Sequence, residues 1–134
     1  MAIELTVLLL AAALVLVQLA LAGPVRLLTA GLAWSFGSRD GPAPPEPLWV
    51  ERAARAHRNM LETFPVFAAA ALVAVVADVT SPLTALGSQI YLGARIAYVP
   101  AYIFHVTALR SLIWTVATLG LLMVLCSAIW GAFS

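Results

Sequence analysis

The sequence predicts an all-α membrane protein, a bundle of four transmembrane helices, from three observations. Of its 134 residues, 63% are hydrophobic and only 10% are charged, and the mean hydropathy is +1.03, whereas a soluble domain carries roughly 25% charged residues. A chain this short has no interior large enough to hide so much apolar surface from water. The apolar runs are continuous, whereas the strands of a membrane β-barrel alternate apolar and polar residues. We therefore expect helices that cross the bilayer.

The first predicted span covers residues 5–22 and ends at Gly23-Pro24. No basic residue precedes it, which favours a true span over a secretion signal. Residues 27–47 are expected to form a connection, with GSRDGPAPPEP (37–47) as a loop. The second span, residues 50–77, would be about 42 Å long as a helix, while the hydrocarbon core is about 30 Å thick. Its first turns are therefore expected to protrude toward the headgroups or to line a polar cavity.

The remaining chain predicts two further spans and an orientation. Residues 78–82 predict a turn, residues 83–104 a third span in which Pro100 introduces a kink, and residues 109–132 a fourth, so that residues 1–134 form a single domain. Basic residues occur only on the side shared by the first and third connections, apart from Arg95. The positive-inside rule then places this side in the cytoplasm and both termini outside. The six arginines on that side are Arg26, Arg39, Arg52, Arg55, Arg58 and Arg110.

The segment ERAARAHRNMLETFP (51–65) places a polar stripe on the second helix. At about 100° per residue, charged and amide side chains share one face while His57 points away from it, which favours a structural histidine. The spacings predict the ion pairs Glu51–Arg55, Arg55–Glu62 and Arg58–Glu62. The stripe consists of Glu51, Arg55, Arg58, Asn59 and Glu62.

The third predicted span carries Arg95 well inside an apolar run, on the same face as Tyr98 and Tyr102. An arginine at such depth is costly without a partner and is by default a functional-site hypothesis. We expect Glu62 or Glu51 as its partner. Arg26 closes the first span and Arg110-Ser111 opens the fourth, so all four spans direct an arginine toward one region.

This excess of arginine over nearby acids predicts a binding site for a small anion, with carboxylates for the arginines and an amino group for Glu62. Two other interpretations stay open: the arginines can pair with lipid phosphates, and Tyr98 can be an interfacial anchor. The sequence predicts no nucleic-acid role, because no basic patch lies outside the membrane-bordering segments. It predicts no metal site, since His57 and His105 lack further ligands. It contains no phosphate-binding glycine loop and no nucleophile elbow.

The polar segments resemble the MAPEG family, the membrane-associated proteins in eicosanoid and glutathione metabolism, in the form of its bacterial members. The resemblance covers essentially the whole chain and is carried by ERAARAHRNMLETFP, PVR (24–26), GARIAYVPAY (93–102) and LRS (109–111). It implies a homotrimer of four-helix bundles in the bacterial inner membrane, surrounded by lipid. It also implies that glutathione, as co-substrate, binds between neighbouring subunits near the cytosolic face.

The resemblance further implies a role for each polar residue. Arg110, with Ser111 beside it, would stabilise the glutathione thiolate as the catalytic pair. The thiolate would then attack a lipophilic electrophile or peroxide dissolved in the bilayer. Arginine forks would hold the carboxylates, and Glu62 would accept from the ammonium group. The implied glutathione-binding residues are Arg26, Arg55, Arg58, Asn59, Glu62, Arg95, Tyr98 and Tyr102.

Three departures from the family pattern bear on specificity. Met60 stands where several eicosanoid-forming members have an acid, Tyr98 takes the place of a histidine found in some of them, and Trp114 takes the place of a tyrosine. A general glutathione transferase or peroxidase of bacterial type is therefore the leading hypothesis. The alternative is a non-catalytic membrane scaffold or lipid-binding subunit with the same fold. An ion channel or transporter is less favoured, because the polar groups cluster at one face only.

Overall fold

The computed structural model describes all 134 residues as helices and their connections, without strands. Four of the helices are long, and one helix, which was not predicted, is short. Their order along the chain is α1 (Ile3–Ala30), α2 (Leu32–Phe36), α3 (Leu48–Val76), α4 (Pro82–Ile103) and α5 (Thr107–Phe133).

The predicted end of the first helix at Gly23-Pro24 is wrong. Helix α1 continues through Pro24 to Ala30 and ends at Gly31, whose φ of +86° is a conformation that glycine adopts without strain. A proline inside a helix removes one backbone donor, which helices in apolar surroundings tolerate when neighbouring groups compensate. Because α2 follows at once, the connection shortens to residues 37–47, the segment predicted as a loop.

The turn between α3 and α4 lies at residues 77–81, one residue before the predicted 78–82, with Asp78 at a positive φ of 56°. Ser81 then caps α4 reciprocally: its hydroxyl accepts from the Thr84 backbone N–H, and the Thr84 hydroxyl accepts from the Ser81 N–H. Pro82 occupies the first helical turn, where its missing donor costs nothing. Pro100 lies inside α4, which continues to Ile103, so the expectation that Pro100 does not end this helix is confirmed.

The four long helices alternate in direction around a centre formed by α3 and α4. The second half of α1 packs on the start of α3, where Ala22 belongs to one buried cluster with Val50, Ala53 and Ala54. Arg52 in α3 donates to the carbonyl of Ile103 at the end of α4 (3.2 Å). At the opposite end of the bundle Thr84 is hydrogen-bonded to Glu4. Helices α1 and α5 lie on either side of this centre, and their backbones do not approach each other closely.

Helices α4 and α5 approach each other most closely at Gly87 and Gly120. A Cβ atom on Gly120 would lie 2.7 Å from the backbone nitrogen of Tyr91 and 2.8 Å from the carbonyl oxygen of Gly87. Glycine therefore allows the two backbones to touch, as small residues do in membrane helix pairs. Beside this crossing, the ring of Tyr91 stacks on Phe67 of α3 at 4.3 Å, which ties all three helices together.

Three helices, α1, α3 and α5, have the length and hydropathy of membrane spans, and only 22–28% of the apolar stretch of each is buried within the bundle. Helix α4 is less apolar because it turns polar side chains inward: Thr84, Ser88 and Arg95 are all at most 1% exposed. Its outward-facing residues, such as Leu86 and Ile96, are apolar except for Gln89. The predicted fourth crossing by α4 stays a prediction.

Candidate functional site

A cavity of about 610 Å³ opens at the arginine-rich end of the bundle, between α3, α4 and α5. Helix α3 forms one wall, α4 the back and α5 the other wall. Eight of the ten site residues implied by the sequence line it, together with two that were not among them. The lining consists of Arg55, Arg58, Asn59, Glu62, Tyr98, Tyr102, Arg110, Ser111, Trp114 and Thr115.

The α3 wall follows from helical spacing. Arg55, Arg58, Asn59 and Glu62 are separated by three, one and three residues, which places them on one face of a helix. The predicted stripe is therefore confirmed for these four. Glu51, the fifth member, lies one turn before the cavity and forms the predicted ion pair with Arg55.

The other two predicted ion pairs of this stripe, Arg55–Glu62 and Arg58–Glu62, are wrong, because the Glu62 carboxylate forms no salt bridge. Arg55 turns back to Glu51 instead, and a glutamate placed four residues before its cation is the favoured order on a helix. In Arg58–Glu62 the order is the reverse, which is less favourable. The Glu62 carboxylate therefore faces the cavity without an internal cation.

Arg95 lies behind the cavity, and its expected pairing with Glu62 or Glu51 is wrong. The side chain is 1% exposed. Its Nη1 donates to Asn59 Oδ1 and its Nη2 to Thr63 Oγ1, both at 2.7 Å. The guanidinium lies 5.5 Å from the ring centres of both Tyr91 and Tyr98, within the range of cation–π attraction. Neutral oxygens and aromatic faces thus replace the expected carboxylate.

Two aromatic rings in a row connect this buried arginine with a second arginine at the mouth of the cavity. Beyond Tyr98, the ring of Tyr102 follows at 5.6 Å, and the guanidinium of Arg110 lies 4.7 Å from the centre of that ring. The predicted common face of Arg95, Tyr98 and Tyr102 is therefore confirmed. Tyr102 holds Arg110 at the place where α5 begins, since the ring covers one side of the guanidinium.

Arg26 does not reach the cavity of its own chain. Its Nε and Nη2 donate to the two carboxylate oxygens of Glu46 at 2.6 and 2.7 Å, a bidentate pair. The hydrogen bonds from Arg26 hold the pKa of Glu46 below its usual range. Glu46 lies in the proline-rich loop, twenty residues along the chain, and no local spacing relates it to Arg26. Sequence reasoning therefore missed this partner.

Trp114 and Thr115 are the two lining residues that sequence reasoning did not include in the site. They follow Arg110 and Ser111 by four residues, so they continue the same helical face by one turn. That spacing was the available signal. Together they extend the α5 wall away from the charged mouth and toward the middle of the bundle. His57, as expected, does not line the cavity; its Nδ1 is buried without a hydrogen-bond partner.

The charges of the lining are unequal. Three guanidinium groups, those of Arg55, Arg58 and Arg110, face a single carboxylate, that of Glu62. Arg55 is compensated by Glu51, while Arg58 and Arg110 form no ion pair. A cavity with this lining can bind a small anion that also carries a cationic group for Glu62.

Comparison with known proteins identifies the family. No curated protein sequence matches the chain. The sequence profile of the MAPEG family matches residues 4–130, a range that includes nearly all of the four long helices and every residue of the cavity lining. Because this match covers almost the whole chain and three helices have the character of membrane spans, the protein is an integral membrane protein that belongs to the MAPEG family.

Proposed function

We propose that the protein binds glutathione in this cavity and activates its thiol for attack on a lipophilic electrophile or peroxide. One observation carries the proposal: two guanidinium groups that form no ion pair within the chain, Arg58 and Arg110, share the cavity with a carboxylate that also forms none, Glu62. Glutathione has the complementary groups, namely two carboxylates, one ammonium group and a thiol. Its charges match those of the lining, which favours specific binding.

Some side chains of the cavity bind glutathione, and others activate its thiol. Arg55 and Arg58 hold the carboxylates of glutathione, and Glu62 accepts hydrogen bonds from its ammonium group. Arg110 and Ser111, on the opposite wall, stabilise the thiolate, since a nearby guanidinium favours the deprotonated sulfur. The thiolate sulfur then forms a bond to the electrophilic carbon as the leaving group departs with the bonding electrons. With a peroxide, sulfur attacks one oxygen, the O–O bond breaks, and the released alkoxide takes up a proton.

The assembly and orientation belong to the same proposal. The protein forms a homotrimer in the bacterial inner membrane, with four crossings per chain, both termini outside and the cavity facing the cytoplasm. The wide apolar surfaces of α1 and α5 provide the contacts with lipid and with neighbouring subunits. In such a trimer glutathione lies between neighbouring subunits, and the family resemblance assigns Arg26 to that site.

The test is a pair of measurements on detergent-purified protein. We expect saturable glutathione binding by calorimetric titration, and glutathione consumption with an aryl halide electrophile. Arg110→Ala should lower the conjugation rate by about 10²–10³-fold, the effect of losing one preorganised group that stabilises an anion. Arg39→Ala is the matched control, because Arg39 bonds only to the carbonyl of Ser35 and lies outside the cavity.

The outcomes separate the two hypotheses about this chain. An unchanged rate in Arg110→Ala would show that Arg110 has no role in the chemistry. Binding without any turnover would support a glutathione-binding subunit without catalysis. No binding at millimolar glutathione would overturn the proposal and favour a membrane scaffold or lipid-binding subunit.

A further inference from the structure

No ion pair explains why Arg95 is buried. It is the largest side chain in the protein that is almost fully buried, and it forms no salt bridge. Its Nε is buried without any acceptor. Replacing buried charges by apolar side chains of similar volume is often neutral or even stabilising. Stability alone therefore does not account for an arginine at this position.

At the cavity, Arg95 is hydrogen-bonded to the side-chain amide of Asn59. This bond determines which group of the amide can contact a ligand. A guanidinium has only donors, so the Asn59 atom that faces Arg95 Nη1 at 2.7 Å must be the carbonyl oxygen, Oδ1. The Asn59 side chain lines the cavity and has no other oxygen. It must therefore present its NH₂ group there, which is a donor.

The guanidinium that sets this orientation is itself held on several sides. Its Nη2 donates to Thr63 Oγ1 at 2.7 Å, and that hydroxyl lies 3.0 Å from the Tyr91 hydroxyl. The rings of Tyr91 and Tyr98 flank the charged group at 5.5 Å each. With two hydrogen bonds and two rings around it, the guanidinium has little freedom to turn. The Nη1 donor of Arg95 therefore stays in one place relative to Asn59 Oδ1.

We propose that Arg95 is a positioning residue that acts through Asn59: it holds the amide with its NH₂ group toward the cavity, so that this group donates to an oxygen of the bound ligand. The inference rests on the proposed function only for the identity of that ligand, glutathione. It reassigns Arg95, which family resemblance places among the residues that touch glutathione, to a place behind the site. The oxygen that Asn59 selects belongs to a carboxylate or a peptide carbonyl, since both accept hydrogen bonds and neither can donate at neutral pH.

The substitution Asn59→Asp tests whether the Arg95–Asn59 contact positions the amide for a ligand or only stabilises the fold. The carboxylate keeps the size of the side chain and gains an ion pair with Arg95, but it loses the NH₂ donor and turns an acceptor toward the ligand. We expect the thermal unfolding midpoint in detergent to stay the same or rise. The dissociation constant for S-hexylglutathione, which binds without reacting, should increase by about tenfold or more, the usual effect of losing a hydrogen bond to a charged group. If the contact served only to support the fold, affinity would fall only when the unfolding midpoint also fell.

A double-mutant cycle tests whether Arg95 acts through Asn59. Arg95→Met should weaken S-hexylglutathione binding about tenfold in the wild-type background and have no further effect in the Asn59→Ala background. Arg95→Lys, which keeps a donor toward Asn59 Oδ1, should restore part of the affinity lost in Arg95→Met. Equal losses from Arg95→Met in both backgrounds would overturn the inference, as would unchanged binding in Asn59→Asp.

A measurement without ligand keeps the inference separate from the proposed function. Asn59→Asp should raise the unfolding midpoint, or leave it unchanged, when Arg95 is present, and lower it in the Arg95→Met background, where the new carboxylate has no cation. If the wild type does not bind S-hexylglutathione, the proposed function fails. The unfolding midpoints still decide whether Arg95 fixes the Asn59 amide: the same change in both backgrounds would overturn it.

Discussion

The two ends of the bundle both gather polar side chains, but they satisfy them in opposite ways. At the end remote from the cavity, the buried Glu4 is hydrogen-bonded to Thr84, and the Ser81 hydroxyl lies 3.1 Å from that of Ser127. These groups bond mainly to one another and to the backbone. At the arginine-rich end, the cavity lining includes two cations and one carboxylate that have no internal ion pair: Arg58, Arg110 and Glu62. The first end uses polarity to join helices, whereas the second leaves it available to a ligand.

The difference extends to how closely the helices approach. At Gly87 and Gly120, between the two ends, α4 and α5 are in backbone contact. Further toward the arginine-rich end the same two helices carry Tyr98, Tyr102, Arg110 and Trp114, and a cavity opens in front of them. Close packing resists rearrangement, so the glycine crossing gives the cavity a fixed support. Changes on the supporting side should therefore affect stability, and changes in the cavity should affect binding.

The largest expected effect on stability comes from the glycine crossing. In Gly120→Ala the new methyl group meets the backbone nitrogen of Tyr91 at 2.7 Å and the carbonyl of Gly87 at 2.8 Å. Because backbone atoms cannot move aside as a flexible side chain would, we expect a loss of about 3 kcal/mol, the upper part of the usual range for overpacking. Thermal or denaturant unfolding in detergent would measure it.

Gly93→Ala is the matched control for this crossing. Gly93 lies in the same helix as Gly87, and a Cβ atom placed there meets nothing within 4 Å. The change should leave stability the same or raise it by up to about 1 kcal/mol, since alanine favours the helix over glycine. Equal destabilisation by Gly93→Ala and Gly120→Ala would mean that the α4–α5 contact is not the cause.

An intermediate effect is expected at the remote polar network. Thr84→Val keeps the shape of the side chain but removes the hydroxyl bonded to Glu4 and to the Ser81 N–H. A buried group left without its partner costs about 1–3 kcal/mol, so the unfolding midpoint should fall while the proposed binding of glutathione stays unchanged. Thr118→Val is the control, because the Thr118 hydroxyl bonds only to the Trp114 carbonyl one turn away. A loss of glutathione affinity in Thr84→Val would show that the two ends are coupled.

The sequence predicted the four long helices and the cavity face of α3, because both depend on local periodicity. Continuous apolar runs marked the helices, and the spacing of Arg55, Arg58, Asn59 and Glu62 marked the face. The same local rules failed at Pro24, where helical continuity outweighed the signal of Gly23-Pro24 to end the helix. They failed again in the predicted ion pairs of Glu62.

Contacts between helices were out of reach of the sequence, because they depend on packing in three dimensions. The pairing of Arg95 with Asn59 and Thr63 requires α3 and α4 to lie in one particular register. The sequence identified Arg95 as buried and in need of a partner, but it favoured the nearest carboxylates over an amide. Charge excess predicted a site for an anion, and only the packed helices show which of the arginines share one cavity.

The smallest expected effect concerns the pair Arg26–Glu46, which lies at the arginine-rich end but outside the cavity. The hydrogen bonds from Arg26 hold the pKa of Glu46 below its usual range. A lowered pKa in the folded state means that the pair stabilises the protein at pH values above the ordinary glutamate pKa of about 4.3, and that this contribution is lost as the pH falls through the lower, folded-state value. Since the two side chains are 41% and 20% exposed, solvent screening limits the contribution of the pair to stability to about 0.2–1 kcal/mol.

We expect Glu46→Gln to lower the unfolding midpoint slightly at neutral pH and to match the wild type in acid, where Glu46 is protonated. Asp40→Asn is the control, because Asp40 lies in the same loop but outside any ion pair, and it should leave the unfolding midpoint unchanged at either pH. If the effect of Glu46→Gln persisted in acid, packing rather than charge would connect Glu46 to Arg26.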